Sequence, residues 1–160
     1  MNPRIEFLSE KKLIGKHLEM SFEQNRTFEL WKSFMPFRNN IKNNVGNVLY
    51  SIQQYKPHFF DDFNPKAKFE KWAVVEVDNF EFIPQEMELF QLQEGLYAVF
   101  LYKGNPSEAA NTFQYIFRTW LPNSNYILDV RPHFEILGVK YKNNDPNSEE
   151  EIWIPIRLKE

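Results

Sequence analysis

Cysteine is absent from the 160 residues. That removes a disulfide framework, a zinc–thiolate site and a thiol nucleophile together. Positive charge is not in excess either: 19 Lys and Arg stand against 22 Asp and Glu, a formal net charge of −3. A nucleic-acid surface needs a basic face to displace counterions, so no direct nucleic-acid binding is expected. No apolar run approaches the roughly 18 residues of a membrane span. The opening M-N-P-R-I-E-F-L-S-E lacks the apolar core of a signal peptide. These absences predict a soluble, cytoplasmic protein without a membrane partner. The only histidines are His17, His58 and His133, and no two have the i, i+4 spacing of a helical metal pair. His58 with Asp61 and Asp62 is too sparse a set to hold a metal, so none is expected. There is no G-x-S-x-G, no phosphate loop and no G-x-G-x-x-G, which leaves nucleophilic catalysis without a motif and no cofactor implied.

Aromatic side chains are abundant. Phe, Tyr and Trp make up 17% of the chain, with 16 Phe among them. They fill cores, and they also wall pockets for flat or cationic ligands. Alternation predicts strands in residues 5–20, 47–55, 69–77, 95–104, 126–138 and 151–158. A helix is expected over residues 25–41, with Phe28, Trp31, Phe34, Met35 and Ile41 near one face and a kink at Pro36. In the second half, Asn105 is a suitable cap and Pro106 a suitable first helical residue. Ala109, Ala110, Phe113, Ile116, Phe117 and Trp120 then recur at helical spacing up to Pro122. Glu149-Glu150-Glu151 reads as a solvated loop end, and residues 78–93 as a connector.

Each half thus reads strand, helix, strand, strand. Landmarks recur in one order: Trp31, Tyr50, Pro57-His58-Phe59 and Glu70-Lys71-Trp72, then Trp120, Tyr126, Pro132-His133-Phe134 and Glu151-Ile152-Trp153. An internal duplication is expected. In it, K-P-H-F-F (residues 56–60) and R-P-H-F-E (residues 131–135) are copies of one strand, diverging at Phe60 against Glu135.

W-L-P-N-S, R-P-H-F-E, the Asp145-Pro146 loop and E-I-W-I-P-I occur in an order that resembles the GyrI-like family, the effector-binding domain of AraC- and MerR-type transcription activators. L-Y-A-V-F-L-Y-K-G ahead of the second helix is similar to the family's strand at that place. The resemblance implies an α+β fold: two βαββ modules related by a pseudo-twofold, with antiparallel sheets and a ligand cleft between them. Residues 1–160 would form one such domain, module one about 5–80 and module two about 86–158. It further implies binding of a hydrophobic, cationic or zwitterionic small molecule. The sequence leaves no room for a helix-turn-helix before residue 5 or after residue 158. The expectation is therefore a standalone effector-binding or drug-sequestering protein, with a regulator or gyrase as a possible protein partner. Two alternatives stay open, a hydrolase of reactive small molecules and a gyrase-protecting protein.

The candidate ligand-binding residues are Glu135, Trp72, Trp153, Tyr50 and Tyr97. Strand parity puts Phe134 and Ile136 on one face and Glu135 on the other. If Phe134 and Ile136 pack under the helix, Glu135 looks into the cleft, where the resemblance implies an acid. There it can neutralise a cationic ligand, or activate water if the protein is a hydrolase. The same parity in E-I-W-I-P-I sends Ile152, Ile154 and Ile156 to the helix and Trp153 to the cleft, with Trp72 its counterpart. Tyr50 and Tyr97 complete the walls, and Trp31 and Trp120 are read as core.

Overall fold

The β-branched and aromatic runs pair into a single antiparallel sheet in the computed structural model, which describes residues 2–160. Its strands are β1 (Arg4–Leu8), β2 (Lys11–Ser21), β3 (Leu49–Gln54), β4 (Lys68–Val77), β5 (Glu88–Leu92), β6 (Gly95–Lys103), β7 (Tyr126–Leu128), β8 (His133–Leu137) and β9 (Glu149–Leu158). The order across the sheet is β1-β6-β9-β8-β3-β4-β2-β5, with β7 paired to β9. The α+β class is as the resemblance implied, but each half has two strands ahead of its helix where one was expected: residues 5–20 divide at Ser9-Glu10 into β1 and β2, and β5 precedes β6. Strand β5 was hidden in the expected connector: its five residues are too few for alternation to register. Among the described residues no helix is long and apolar enough to cross a membrane.

Both helices are broken where proline falls. Helix α1 (Thr27–Phe34) tightens into a 3-10 turn (Met35–Asn40) at Pro36. Its buried face is Leu30, Phe34 and Ile41, while Phe28 is exposed. The second helix starts on the Asn105 side chain, which accepts from Ser107 N–H. It runs through a 3-10 turn (Pro106–Glu108) into α2 (Ala110–Tyr115), a π turn (Ile116–Trp120) and α3 (Leu121–Asn123). Pro122 has no N–H to offer, and ahead of it the helix widens so that Leu121 N–H reaches Ile116 O.

The helices lie on the same face of the sheet, one over each half. Beneath α1 are Ile14, Ala73, Val75 and Val77; beneath the second helix are Ala98, Phe100, Ile152, Ile154 and Ile156. The opposite face carries the largest cluster, drawn from both ends of the sheet: Leu8, Leu13, Phe90 and Leu92 join Tyr50, Ile52, Trp72, Tyr97, Phe134 and Trp153. Two-residue links explain this. Leu8 at the end of β1 and Lys11 at the start of β2 are separated only by Ser9-Glu10, and β5 and β6 only by Gln93-Glu94. Yet β1 pairs with β6 and β2 with β5, at opposite ends of the sheet. The sheet must curl until its ends meet, and the helix-free face becomes a closed interior. Gly95 (φ +155°) makes one of these links, and a methyl there would collide with the Arg131 guanidinium.

The pairing registers repeat about the Ile52–Phe134 pair at the centre of β3 and β8. Ile52 faces Trp72 on β4, and Phe134 faces Trp153 on β9. The two indoles even share a partner type: Trp72 Nε1 donates to Glu70 (2.5 Å) and Trp153 Nε1 to Glu151 (3.1 Å). Counting one residue outward, Gln53 corresponds to Glu135, Ser51 to His133, and Lys71 to Ile152. The expected equivalence of K-P-H-F-F with R-P-H-F-E does not hold. Residues 57–62 form a turn, with His58 at φ +65°, whereas R-P-H-F-E leads into β8. The position matching Glu135 is Gln53, not Phe60.

Phe134 is fully buried and stacks on Trp153 (centroids 5.1 Å apart, 19° between planes). Phe60 is half-buried on a turn. Phe134→Ala is expected to cost about 3–5 kcal/mol in urea denaturation and Phe60→Ala no more than about 2. Equal losses would contradict their separate environments.

Candidate functional site

No helix covers the middle of the outer face, where β3 and β8 run between α1 and the second helix. Side chains pointing outward there are Ser51 and Gln53 from β3 and His133 and Glu135 from β8, set by the direct pairs Ser51–Glu135 and Gln53–His133. Lys71 from β4 faces Gln53, and Ile152 from β9 faces Glu135. Glu150, two residues before Ile152 on β9, shares this face. The strip is polar, whereas farther along β4 and β9 the same face is apolar, with Ala73 and Val75 under α1 and Ile154 and Ile156 under the second helix. Ser51, Gln53, His133 and Glu150 are buried, whereas Glu135 and Lys71 are densely surrounded yet keep part of their surface open to solvent. That combination describes the floor of a recess.

Aromatic rings wall it. Phe60 stacks on Phe117 of the π turn (5.1 Å, 16°) and lies 5.7 Å from the His133 ring. Tyr55 packs edge-on against His133 (4.9 Å) and Phe60 (4.8 Å). Beside them a groove of about 170 Å³, lined by Tyr55, Phe59, Phe60, His133 and Arg131 among others, opens at the end of β8. Arg131 is held by Asp129 (2.8 Å) and the carbonyls of Leu96 (2.6 Å) and Ile156 (3.1 Å), and its Nη1 is buried without a partner.

The floor is electrostatically strained. Burial pushes the Glu135 carboxyl up, and Lys71 and a hydrogen bond from Gln53 partly offset this. Burial pushes the Lys71 ammonium down, against Glu135 and Glu150. Glu150 is raised to about 7, first by burial and then by Glu135. Burial, and then Arg131, lowers His133 to about 3, so this ring is neutral. Tyr55 is raised by burial and by Glu135, and Tyr141 by burial and by Glu150 and Glu135. The Lys71 Nζ hydrogen bond goes to Thr27 Oγ1 at the start of α1 (3.2 Å).

The five residues singled out from sequence do not share one cleft. Glu135 stands on this floor. Trp72, Trp153, Tyr50 and Tyr97 lie across the sheet in the closed interior, each no more than 6% exposed. Phe134 and Ile136, expected under the helix, point into that interior too. On β8 the face was inverted, whereas on β9 Ile152, Ile154 and Ile156 meet the helix as expected; Trp153 opposite them faces no cleft, because the curl of the sheet gives the helix-free side an apolar core of its own. Tyr97 donates to Pro132 O (3.0 Å) beneath the Arg131 guanidinium (4.7 Å), and burial raises the Tyr50 phenol to about 12.

Lys71, Glu150 and Gln53 were missed, although their phase marks them. Lys71 alternates with Phe69 and Ala73, and Glu150 with Ile152, Ile154 and Ile156, so each charge occupies an apolar step of its strand. Glu150 is not in a solvated loop end but in β9, 9% exposed. His58 pairs with Asp61 (2.7 Å) on the surface, and the described residues contain no group of three or more metal-type ligands.

Comparison with known proteins shows the family and the fold. The family described as the GyrI-like small molecule binding domain matches residues 1–157. The transcriptional regulator BrlR of Pseudomonas aeruginosa is 28% identical over 130 residues; the match covers 80% of this chain but 45% of BrlR, so the chain spans about half of that regulator's length. Among solved structures, SAV2435 bound to tetraphenylphosphonium has a TM-score of 0.71 at 17% identity, covering 98% of this chain and 94% of that one. The C-terminal domain of EcmrR also has a TM-score of 0.71, at 14% identity, with 99% and 98% covered. A hydrolase of Listeria innocua has a TM-score of 0.59 at 13% identity, with 98% and 92% covered. At these identities the solved structures establish the shared fold.

Glu150 makes stability depend on pH. Its folded-state pKa of about 7 lies above the ordinary carboxyl value of 4.5, so the folded state holds a proton that the unfolded chain releases. Its contribution is full below about pH 4.5 and is lost as pH rises through about 7. Glu150→Gln removes this loss. The stability of the variant relative to wild type is expected to rise by about 2 kcal/mol from pH 5 to pH 8, measured by urea denaturation. A flat difference would contradict the buried carboxyl.

Proposed function

The chain belongs to the GyrI-like small-molecule-binding family, and from that premise we propose that it binds a hydrophobic ligand, cationic or zwitterionic, over the central strands β3 and β8. The observation that carries the reading is Glu135: a crowded carboxylate, partly open to solvent, on the same face of β8 as His133, against which the Tyr55, Phe60 and Phe117 rings pack. Lys71 and Gln53 only partly offset the burial of this acid, and a ligand cation near it is poorly screened by water. The rings supply flat faces for stacking and cation–π contact, each worth about 0.5–2 kcal/mol. SAV2435, which shares the fold, holds tetraphenylphosphonium, and a cation of that class is the natural first probe. The proposed role is an effector-sensing or drug-sequestering unit, acting alone or through a protein partner.

A hydrolytic use of the same carboxyl is a second reading. Its support is the raised pKa of Glu135, which suits a general base, together with the fold shared with a hydrolase. Incubation with a strained cyclopropane-bearing electrophile tests it. An unchanged compound at saturating protein would reject it for that substrate class.

Binding of tetraphenylphosphonium by titration calorimetry is expected to weaken about tenfold or more in Glu135→Gln, which keeps the shape and removes the charge. Trp153→Phe, in the closed interior, is expected to leave affinity within about threefold. Equal affinity of wild type and Glu135→Gln would eliminate the carboxylate as counter-charge.

A further inference from the structure

We propose that Lys71 is the specificity-determining residue of this recess and that the preferred ligand is an amphoteric aromatic molecule, bearing an anionic group for Lys71 and a cationic group for Glu135 and Glu150. The inference rests on the binding reading above and narrows it. Lys71 shares the floor with both carboxylates through the register of β3, β4 and β8. Its counterpart in the second half of the fold is Ile152, fully packed against the second helix. The architecture therefore accepts an apolar side chain at this step of the strand, and the lysine is no requirement of folding. An ammonium in a crowded setting costs stability unless something compensates it. Thr27 Oγ1 anchors it to the α1 side of the recess (3.2 Å), while Glu135 enters from β8 and Glu150 from β9. Positive and negative groups thus stand on different strands of one floor, which His133 shares and where the Phe60 and Phe117 rings pack on His133.

A ligand with only a cation meets the repulsion of Lys71, and a ligand with only an anion meets two carboxylates. A flat molecule carrying both charges, with its anion toward α1, satisfies all three groups. Pseudo-symmetry sharpens the contrast. With Gln53 matching Glu135 and Lys71 matching Ile152, both charges break the internal repeat, and they break it at neighbouring positions.

The test compares rhodamine B, a zwitterion at neutral pH, with its ethyl ester, which has the same ring system and cation but no carboxylate. Fluorescence anisotropy at ~pH 8 is the readout. Wild type is expected to bind the zwitterion about tenfold more tightly than the ester. Lys71→Met, which keeps the aliphatic stem, is expected to invert the preference, and Lys71→Arg to keep it; Lys71→Gln serves if the Met variant does not fold. The wild-type ratio reads the inference without any variant. Equal or tighter binding of the ester by wild type, or a ratio unchanged in both Lys71→Met and Lys71→Gln, overturns the role of Lys71 while leaving the cation-binding reading intact. Failure of wild type to bind either dye, with no binding of tetraphenylphosphonium, overturns both.

Discussion

Two pairs of residues, Ser9-Glu10 and Gln93-Glu94, govern the shape of this protein. Each joins strands whose sheet partners lie at opposite ends of the sheet. Because neighbouring Cα atoms are 3.8 Å apart, so short a link cannot span an open sheet. The sheet closes, and its helix-free face becomes a dry interior of Leu, Phe, Tyr and Trp. Ser51, Gln53, His133 and Glu135 of the central strands lie on the other face, in the strip between the helices, while Glu70 and Glu151 stay on the interior side, bonded to the indoles of Trp72 and Trp153.

That strip is where the internal repeat fails. The framework obeys it: Trp72 and Trp153 hold corresponding places, each with its glutamate two residues earlier. The floor does not, since Gln53 stands for Glu135, Ser51 for His133 and Lys71 for Ile152. Residues that only need to pack have stayed alike, while those facing the recess have parted in charge. Two carboxyls and an ammonium held in a crowded space work against stability, and each is displaced from its ordinary pKa in the direction of its neutral form. Unbalanced charge of this kind is expected where a ligand completes the set. The π turn that carries Phe117 is a second local irregularity at the same place, with a separate cause in Pro122.

The ring cluster of Tyr55, Phe59, Phe60 and Phe117 connects the two halves across the recess. Phe60 reaches from a turn of the first half to stack on the helix of the second. An aromatic ligand entering here would meet a surface already suited to stacking, and its selectivity would depend on the charges beneath rather than on the rings.

The sequence by itself determined the α+β class, the two helices with Phe34 and Ile116 on their buried faces, the Asn105 cap and the strand parity around Glu135; it did not show β5, nor that Leu30 rather than Phe28 faces the sheet. The features it determined are local matters, set by spacing, capping chemistry and alternation. Lys71 and Glu150 carry a local signal as well, since their charges fall on apolar steps of their strands. Only the tertiary structure decided which side of the sheet is the recess. Parity divides a strand into two faces but does not say which face meets a helix and which meets its own sheet curling back. That depends on β1 reaching β6 and β2 reaching β5, pairings between residues far apart in the chain. For the same reason Phe134, Trp72 and Trp153 went to the core, and Glu135 found Lys71 and Glu150 instead of the tryptophans as its neighbours.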